Sequence, residues 1–199
     1  MKTQPREGYW FSDNSGVLPH GDGRPIVIGQ KLSVKGKLVI CKNALHGSFD
    51  PFDALQYAPG ETLHRVLFSG ARIEKSDKVG SRSRTVLASV DATNMLRQFA
   101  REQALNVIHL WDAPAIVKEY LETGDATKRE AAAADAADAA DAADAADAAW
   151  DAAAAAARDV AWAAAREAAW AAARDAAWAA AGEDAARKRF GELVQELFT

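Results

Sequence analysis

The chain has 199 residues, with 24 Lys and Arg against 28 Asp and Glu and a formal net charge of −4, a size that suits one domain plus an extension or two small domains. Its single cysteine, Cys41, excludes an intramolecular disulfide and any multi-cysteine zinc site. The opening MKTQPREGYWF lacks the apolar core of a secretory signal, so a reducing cytoplasm is the expected location.

Residues 1–24 carry Gly8, Gly16, Gly21, Gly23 and Pro19 and read as turns around a short strand at residues 9–11. From Pro25 the chain turns β-rich. Residues 31–35 alternate and residues 37–41 form a compact apolar run, so two strands joined at Lys35 and Gly36 are expected. Residues 50–58 predict a short helix, with Asp50 as N-cap, Pro51 at the first position and Pro59-Gly60 as the stop. Residues 63–68 predict a strand, with residues 72–75 as a candidate continuation past Ser69 and Gly70. Residues 75–84 are polar and rich in Ser, Lys and Arg, and read as a loop. Residues 85–90 suit a strand or the lead-in to a helix.

Met95, Leu96, Phe99 and Ala100 mark an amphipathic helix from Thr93 to about Gln103. Residues 106–111 are a short apolar strand candidate. Asp112 then reads as the cap of a helix carrying Ile116, Val117, Tyr120 and Leu121 and ended by Gly124. After Gly182, the spacing of Phe190, Leu193, Val194 and Leu197 is that of one buried helix face.

Between these segments lies a tract made almost wholly of Ala, Asp, Arg and Trp. Alanine loses no side-chain entropy in a helix, and no Gly or Pro interrupts the tract before Gly182, so it predicts a rod about 75 Å long. Asp135, Asp138, Asp141, Asp144 and Asp147 recur every third residue and wind around the helix, leaving no continuous apolar face. Further on, Trp150, Arg158, Trp162, Arg166, Trp170, Arg174 and Trp178 share one four-residue register, with Ala154 in the empty slot. Neighbours at that spacing stack, so the inner guanidiniums fall between indole rings. The indoles are expected to pack on the chain's own globular part or on a second copy. A dedicated partner surface and a repeat grown by duplication are the alternatives.

Residues 131–182 hold three Arg against eight Asp and one Glu, a net −6 that leaves +2 for the rest. An acidic rod repels phosphate backbones, so nucleic acid is not the expected partner. No window of about 18 residues in the tract is free of charge, and the basic polar face of a membrane-surface helix is absent, so no membrane role is expected. The expected fold class is α+β: a small mixed β-sheet domain at residues 1–124, an Ala-rich helix at 125–182 and a C-terminal amphipathic helix at 183–199. Whether the tract is one rod or folds back as a hairpin or bundle stays open.

The most distinctive local phrase runs from Cys41 through His46 and Ser48 to Tyr57. It sets a thiol, an imidazole and a hydroxyl beside a helix N-terminus. Such a junction can hold an anion on backbone N–H groups while His46 binds or moves a proton, which makes His46, Ser48 and Tyr57 the candidate catalytic residues. Equally, Cys41 can end a buried strand, His46 can fix the fold through a hydrogen bond, and Ser48 can belong to the turn. Lys75, Lys78, Arg82 and Arg84 form a modest basic cluster, either simply solvated or able to meet an anion or an acidic partner.

Gly29, Lys31, Cys41, Asn43, Leu45, His46, Pro51, Asp53, Leu55, Tyr57, Ser69, Gly70, Asp77, Lys78, Val79 and Ser81 resemble the signature of an uncharacterised domain family of bacteria and phages. That signature reads approximately C-x-N-G-F-H-A-C, and its members carry repetitive Ala/Trp-rich tails. Ala44 and Ser48 stand where that family has Gly and a second Cys, so a paired-cysteine role does not transfer. The resemblance implies a folded domain with no assigned reaction and, in a phage setting, interference with a host process. His46, Ser48, Ala54 and Tyr57 are also similar to a phrase of ADP-ribosyltransferase-like folds. That analogy implies a nucleotide-handling enzyme centred on His46 and Tyr57, with Arg65 flanking the cleft, but the late catalytic Glu has no match because Glu102 falls on a predicted helix.

His20, His46, His64 and His109 are scattered singly, so no metal is expected, and no phosphate loop, dinucleotide fingerprint or nucleophile elbow occurs. No cofactor is expected. The function favoured by the sequence is a non-enzymatic, homo-oligomeric binding protein that meets a protein partner or itself through the Trp/Arg ridge. The alternatives are the ADP-ribosyl-transfer enzyme and a purely structural self-assembling protein.

Overall fold

A computed structural model describes residues 4–19, 22–110, 113–129, 131–132, 135 and 183–199. Nearly all of the alanine-rich tract lies outside the described residues. So does every member of the Trp/Arg ridge, Trp150, Arg158, Trp162, Arg166, Trp170, Arg174 and Trp178. The described elements are β1 (Arg6–Ser12), β2 (Lys31–Ser33), β3 (Leu45–Gly47), α1 (Pro51–Leu55), β4 (Thr62–Glu74), β5 (Val79–Asp91), α2 (Thr93–Val107), a 3-10 turn (Ile108–Leu110), α3 (Ala115–Thr123) and α4 (Glu183–Leu197). One 5-stranded sheet plus helices makes the fold α+β. Every pairing between named strands is antiparallel. The mixed sheet expected from the sequence is therefore an antiparallel one, with an isolated parallel bridge at Ile28 and Val86. The chain divides into two compact units, one formed by the residues up to Thr93 together with Val194–Thr199, the other by Asn94–Leu193.

In the first unit β4 and β5 form a long hairpin of 13 residues each. β1 lies on the free edge of β4, while β2 and β3 share the free edge of β5. The ladder then closes on itself. Tyr9 of β1 and Ser48, directly after β3, exchange backbone hydrogen bonds of 2.8 and 2.9 Å. At this point the free edge of β1 is covered, one way in which a sheet avoids an exposed edge. The closure also brings backbones very close, and Gly47 permits this: a Cβ there would sit 2.5 Å from the Tyr9 carbonyl oxygen and 2.6 Å from the Phe68 ring. Val66, Phe68, Val79 and Val86 form one buried cluster, and Leu18, Leu32 and Leu45 another. Trp10 and Ile26 pack against both.

The long hairpin overturns the loop expected at residues 75–84. Only residues 75–78 turn, closed by the Lys75 N–H donating to the Lys78 carbonyl at 2.8 Å. From Val79 the chain is strand, because its small hydroxyls find acceptors in the ladder. Ser81 Oγ donates to the Ser69 and Ser83 carbonyls at 3.0 and 2.9 Å, and Ser83 Oγ meets Ser33 Oγ at 2.7 Å. The continuation of β4 past Gly70 is confirmed, through an irregularity between Ser69 and Arg72 where Gly70 has φ +78°.

The second strand expected at residues 37–41 does not form. The Lys42 and Asn43 N–H groups both fold back onto the Val39 carbonyl, at 3.1 and 2.8 Å, and Cys41 has φ 62°. A left-handed residue cannot extend a strand. Asn43 Nδ2 ties the loop by donating to the Lys35 and Lys37 carbonyls at 2.8 Å each. Helix α1 forms as expected: Pro51 opens it and the Asp50 side chain accepts the Phe52 N–H at 2.8 Å.

In the second unit α2 runs past Gln103 to Val107 and the 3-10 turn follows, in place of the strand expected at residues 106–111. A short apolar run carries no period that separates strand from buried helix. Here Leu105 and Ile108 pack against a cluster of Ala104, Ala113, Val117, Tyr120, Leu121 and Ala132. α3 begins after Pro114, which takes the N-cap position expected for Asp112. Gly124 ends α3 in the left-handed conformation expected of it, its N–H donating to the Tyr120 carbonyl at 2.8 Å. Phe190 of α4 meets Phe99 of α2 edge-on, centroids 5.1 Å apart, and Phe190, Leu193 and Val194 of the expected stripe are buried.

Candidate functional site

His46 sits at the centre of β3, half-buried, and its Nε2 accepts the Cys41 backbone N–H at 2.8 Å. That bond places the ring proton of the neutral imidazole on Nδ1. The carbonyl of His46 accepts from Arg84 Nη1. Two residues on, Ser48 is fully buried, with Oγ donating to the Asp77 carbonyl at 2.6 Å. Tyr57, just past α1, is about half exposed, and its hydroxyl donates to Asp77 Oδ2. Lys78 Nζ lies 4.4 Å from the Tyr57 ring centroid. The Asp77 bond raises the Tyr57 pKa above the usual tyrosine value and lowers that of the Asp77 carboxyl.

Ser48 and Tyr57 thus converge on one residue at the tip of the β4–β5 hairpin. Together they clamp that tip over the junction of β3 and α1. The helix N-terminus expected to receive an anion is already served by the carboxylate of Asp50. Arg65 stands apart from this group. On β4, opposite Tyr9 and Ala88, it lies 3.7 Å from Glu7 Oε2 and 5.8 Å from the Phe198 ring centroid. Glu102 is on helix α2, as expected, and its carboxylate takes two bonds of 2.7 Å from Arg189.

Strand pairing assembles a second constellation from residues that stand far apart in the sequence. His64, 2% exposed, is opposite Trp10 in the ladder and stacks on it with centroids 4.7 Å apart. Ser12 Oγ donates to the Asp13 carbonyl, so it accepts from His64 Nε2 at 2.8 Å, and Nδ1 in turn accepts from Ser89 Oγ at 2.7 Å. Burial, with the charge of Arg84 adding to it, lowers the His64 pKa to about 4. The imidazole is therefore neutral at pH 7 and linked to both neighbouring strands.

Arg84 completes the group. It is 3% exposed, and its guanidinium lies 3.6 Å from the Trp10 ring centroid. Burial lowers its pKa to about 9, which leaves it charged at neutral pH. The basic cluster expected at residues 75–84 is thereby divided. Lys75 and Lys78 remain on the turn, Arg82 Nη1 donates to the Val34 and Gly36 carbonyls, and Arg84 goes inside. The alternation of Ser81, Arg82, Ser83, Arg84 and Thr85 was the signal that could have revealed this, because period two is the mark of a strand.

Among the described residues, no group of three or more His, Cys, Asp or Glu side chains could hold a metal ion, and no helix is long and apolar enough to cross a membrane. Comparison with protein-family models, curated proteins and solved structures finds no match for this chain.

Proposed function

We propose that this chain is a non-catalytic interaction protein: an antiparallel β domain and helices carrying an alanine-rich tract that docks on a protein partner or on a second copy of itself. What supports the reading is how the most reactive-looking phrase is used. His46 Nε2, Ser48 Oγ and the Tyr57 hydroxyl each make a hydrogen bond that ties one loop of the fold to another. A general base or nucleophile needs its reactive atom within reach of a substrate. Binding is then left to the surface the sequence singles out, the ridge of Trp150, Arg158, Trp162, Arg166, Trp170, Arg174 and Trp178. On the family resemblance, the setting is an accessory, anti-host factor of phage origin acting in the cytoplasm.

The test is the native mass of the purified full chain by light scattering, beside that of the Trp162→Ala/Trp170→Ala double variant. An oligomer that the double substitution reduces to monomer is expected. A wild-type monomer, or an oligomer unmoved by the substitutions, would remove self-association from the reading. Incubation with nicotinamide adenine dinucleotide tests the competing enzyme. No nicotinamide release is expected, and release abolished by Tyr57→Phe would replace the binding reading with the ADP-ribosyl-transfer one.

A further inference from the structure

We propose that Arg84, on its Trp10 floor, is a binding site for a compact oxyanion, a carboxylate or phosphate group, within the β unit. In the ladder Arg84 is opposite Leu32 on one side and Phe68 on the other. Residues directly opposite share a face, so the guanidinium projects among apolar neighbours. Of its nitrogens, Nη1 donates to the His46 carbonyl, and no described residue accepts from Nε or Nη2. No described carboxylate forms an ion pair with it.

The acid whose charge reaches Arg84 is Asp22, and Asp22 is already clamped by Arg24, through Nε at 2.6 Å and Nη2 at 2.7 Å. The Arg24 charge reaches Arg84 as well. Two cations and one anion leave a net positive charge at this place. His64, on which the Arg84 charge also acts, is neutral at pH 7 and does not change that balance.

A desolvated cation without an acid is costly, and the indole offsets only part of that cost. Arg82 shows what a structural arginine on the same strand looks like: its Nη1 bridges the Val34 and Gly36 carbonyls at 3.0 and 2.6 Å and pins the loop after β2. Arg84 has one such bond and donors to spare. A planar fork of N–H groups in a low-dielectric setting is suited to binding an oxyanion. The site is independent of the Trp/Arg ridge, so its failure would leave the self-association reading untouched.

The experiment is a titration of the full chain at pH 7 and constant ionic strength, with inorganic phosphate in one arm and acetate in the other. The 15N resonances of the arginine side chains are followed, together with the thermal unfolding midpoint. A saturable shift of the Arg84 Nε–H resonance and a rising midpoint are expected in at least one arm, and the arm that saturates first names the oxyanion. In Arg84→Gln the affinity should fall tenfold or more, while Arg82→Gln keeps it. Without anion, the midpoint of Arg84→Gln should match or exceed the wild type, because the unpaired cation is gone. If Arg84→Gln does not fold, Arg84→Lys takes its place and should also bind at least tenfold more weakly. No saturable shift of wild-type Arg84 in either arm, or unchanged affinity in the folded Arg84 variant, would overturn the proposal.

Discussion

In the β unit, Ser12, Ser48, His64, Ser81, Ser83 and Arg84 are all buried. In the helical unit the described interior is Ala, Val, Leu, Met, Tyr and Phe, with Gln103 as a buried polar side chain, and the Glu102–Arg189 pair stays about a third exposed. The difference follows from what each kind of backbone leaves over. A helix consumes its own N–H and C=O groups, so it offers a buried hydroxyl little. An irregular ladder and its turn leave carbonyls free to accept, such as those of Ser69 and His46 in strands and Asp77 in the turn, and these let polar side chains go inside. The helical unit is therefore expected to fail by losing apolar volume, and the β unit by losing close backbone approach or hydrogen-bonded neutrality.

Three measurements can break or sharpen that contrast. The largest effect is expected from Phe190→Ala, which removes the ring that meets Phe99 edge-on. Chemical denaturation should show a loss of about 4 kcal/mol, the usual consequence of an uncollapsed cavity. A loss below about 1 kcal/mol would mean that the helical core is held otherwise. Next comes Gly47→Ala, where a single added methyl is driven into the Tyr9 carbonyl and the Phe68 ring. An overpacked seam should cost about 3 kcal/mol and expose the Tyr9 and Ser48 amides to faster hydrogen exchange. Unchanged exchange at those two amides would show that the seam does not close the ladder.

The smallest effect is the pH dependence set by His64. Its folded pKa is lowered from 6.5 to about 4, so the unfolded chain binds the extra proton in that window and stability falls as pH drops through it. Between about pH 7 and pH 5 the loss should be about 2 kcal/mol. Asp22, Asp77 and Glu102, whose pKa values are lowered by hydrogen bonds to Arg24, Tyr57 and Arg189, lose their contribution only at more acid pH. The slope near pH 5 should therefore disappear in His64→Gln. A variant with the same slope as the wild type would assign the titration to another group.

Much of the local structure was legible. The Asp50 cap with Pro51, the Gly124 stop and the Phe190, Leu193, Val194 stripe depend on neighbours within a turn or two, and all appear where the sequence put them. At the candidate site, the fold-fixing hydrogen bond of His46 was one of the two readings the sequence offered, but the partner that Ser48 and Tyr57 share was not legible. Both Ser48 and Tyr57 bond to Asp77, 29 and 20 residues away along the chain. His64 reads as a single scattered histidine and Arg84 as one of a basic cluster, because their partners, Ser12, Ser89 and Trp10, are brought to them by strand pairing.

The amino-acid sequence alone determined the cap that opens α1, the glycine that ends α3 and which face of α4 is apolar, because these are set by interactions within a few residues of backbone. Only the tertiary structure decided which strands the alternating residues 81–85 pair with, that β1 meets Ser48 to close the ladder, and that Arg84 lies inside. A ladder is stabilised by strands distant in sequence, so a polar segment becomes a buried strand only once those strands supply its hydrogen bonds.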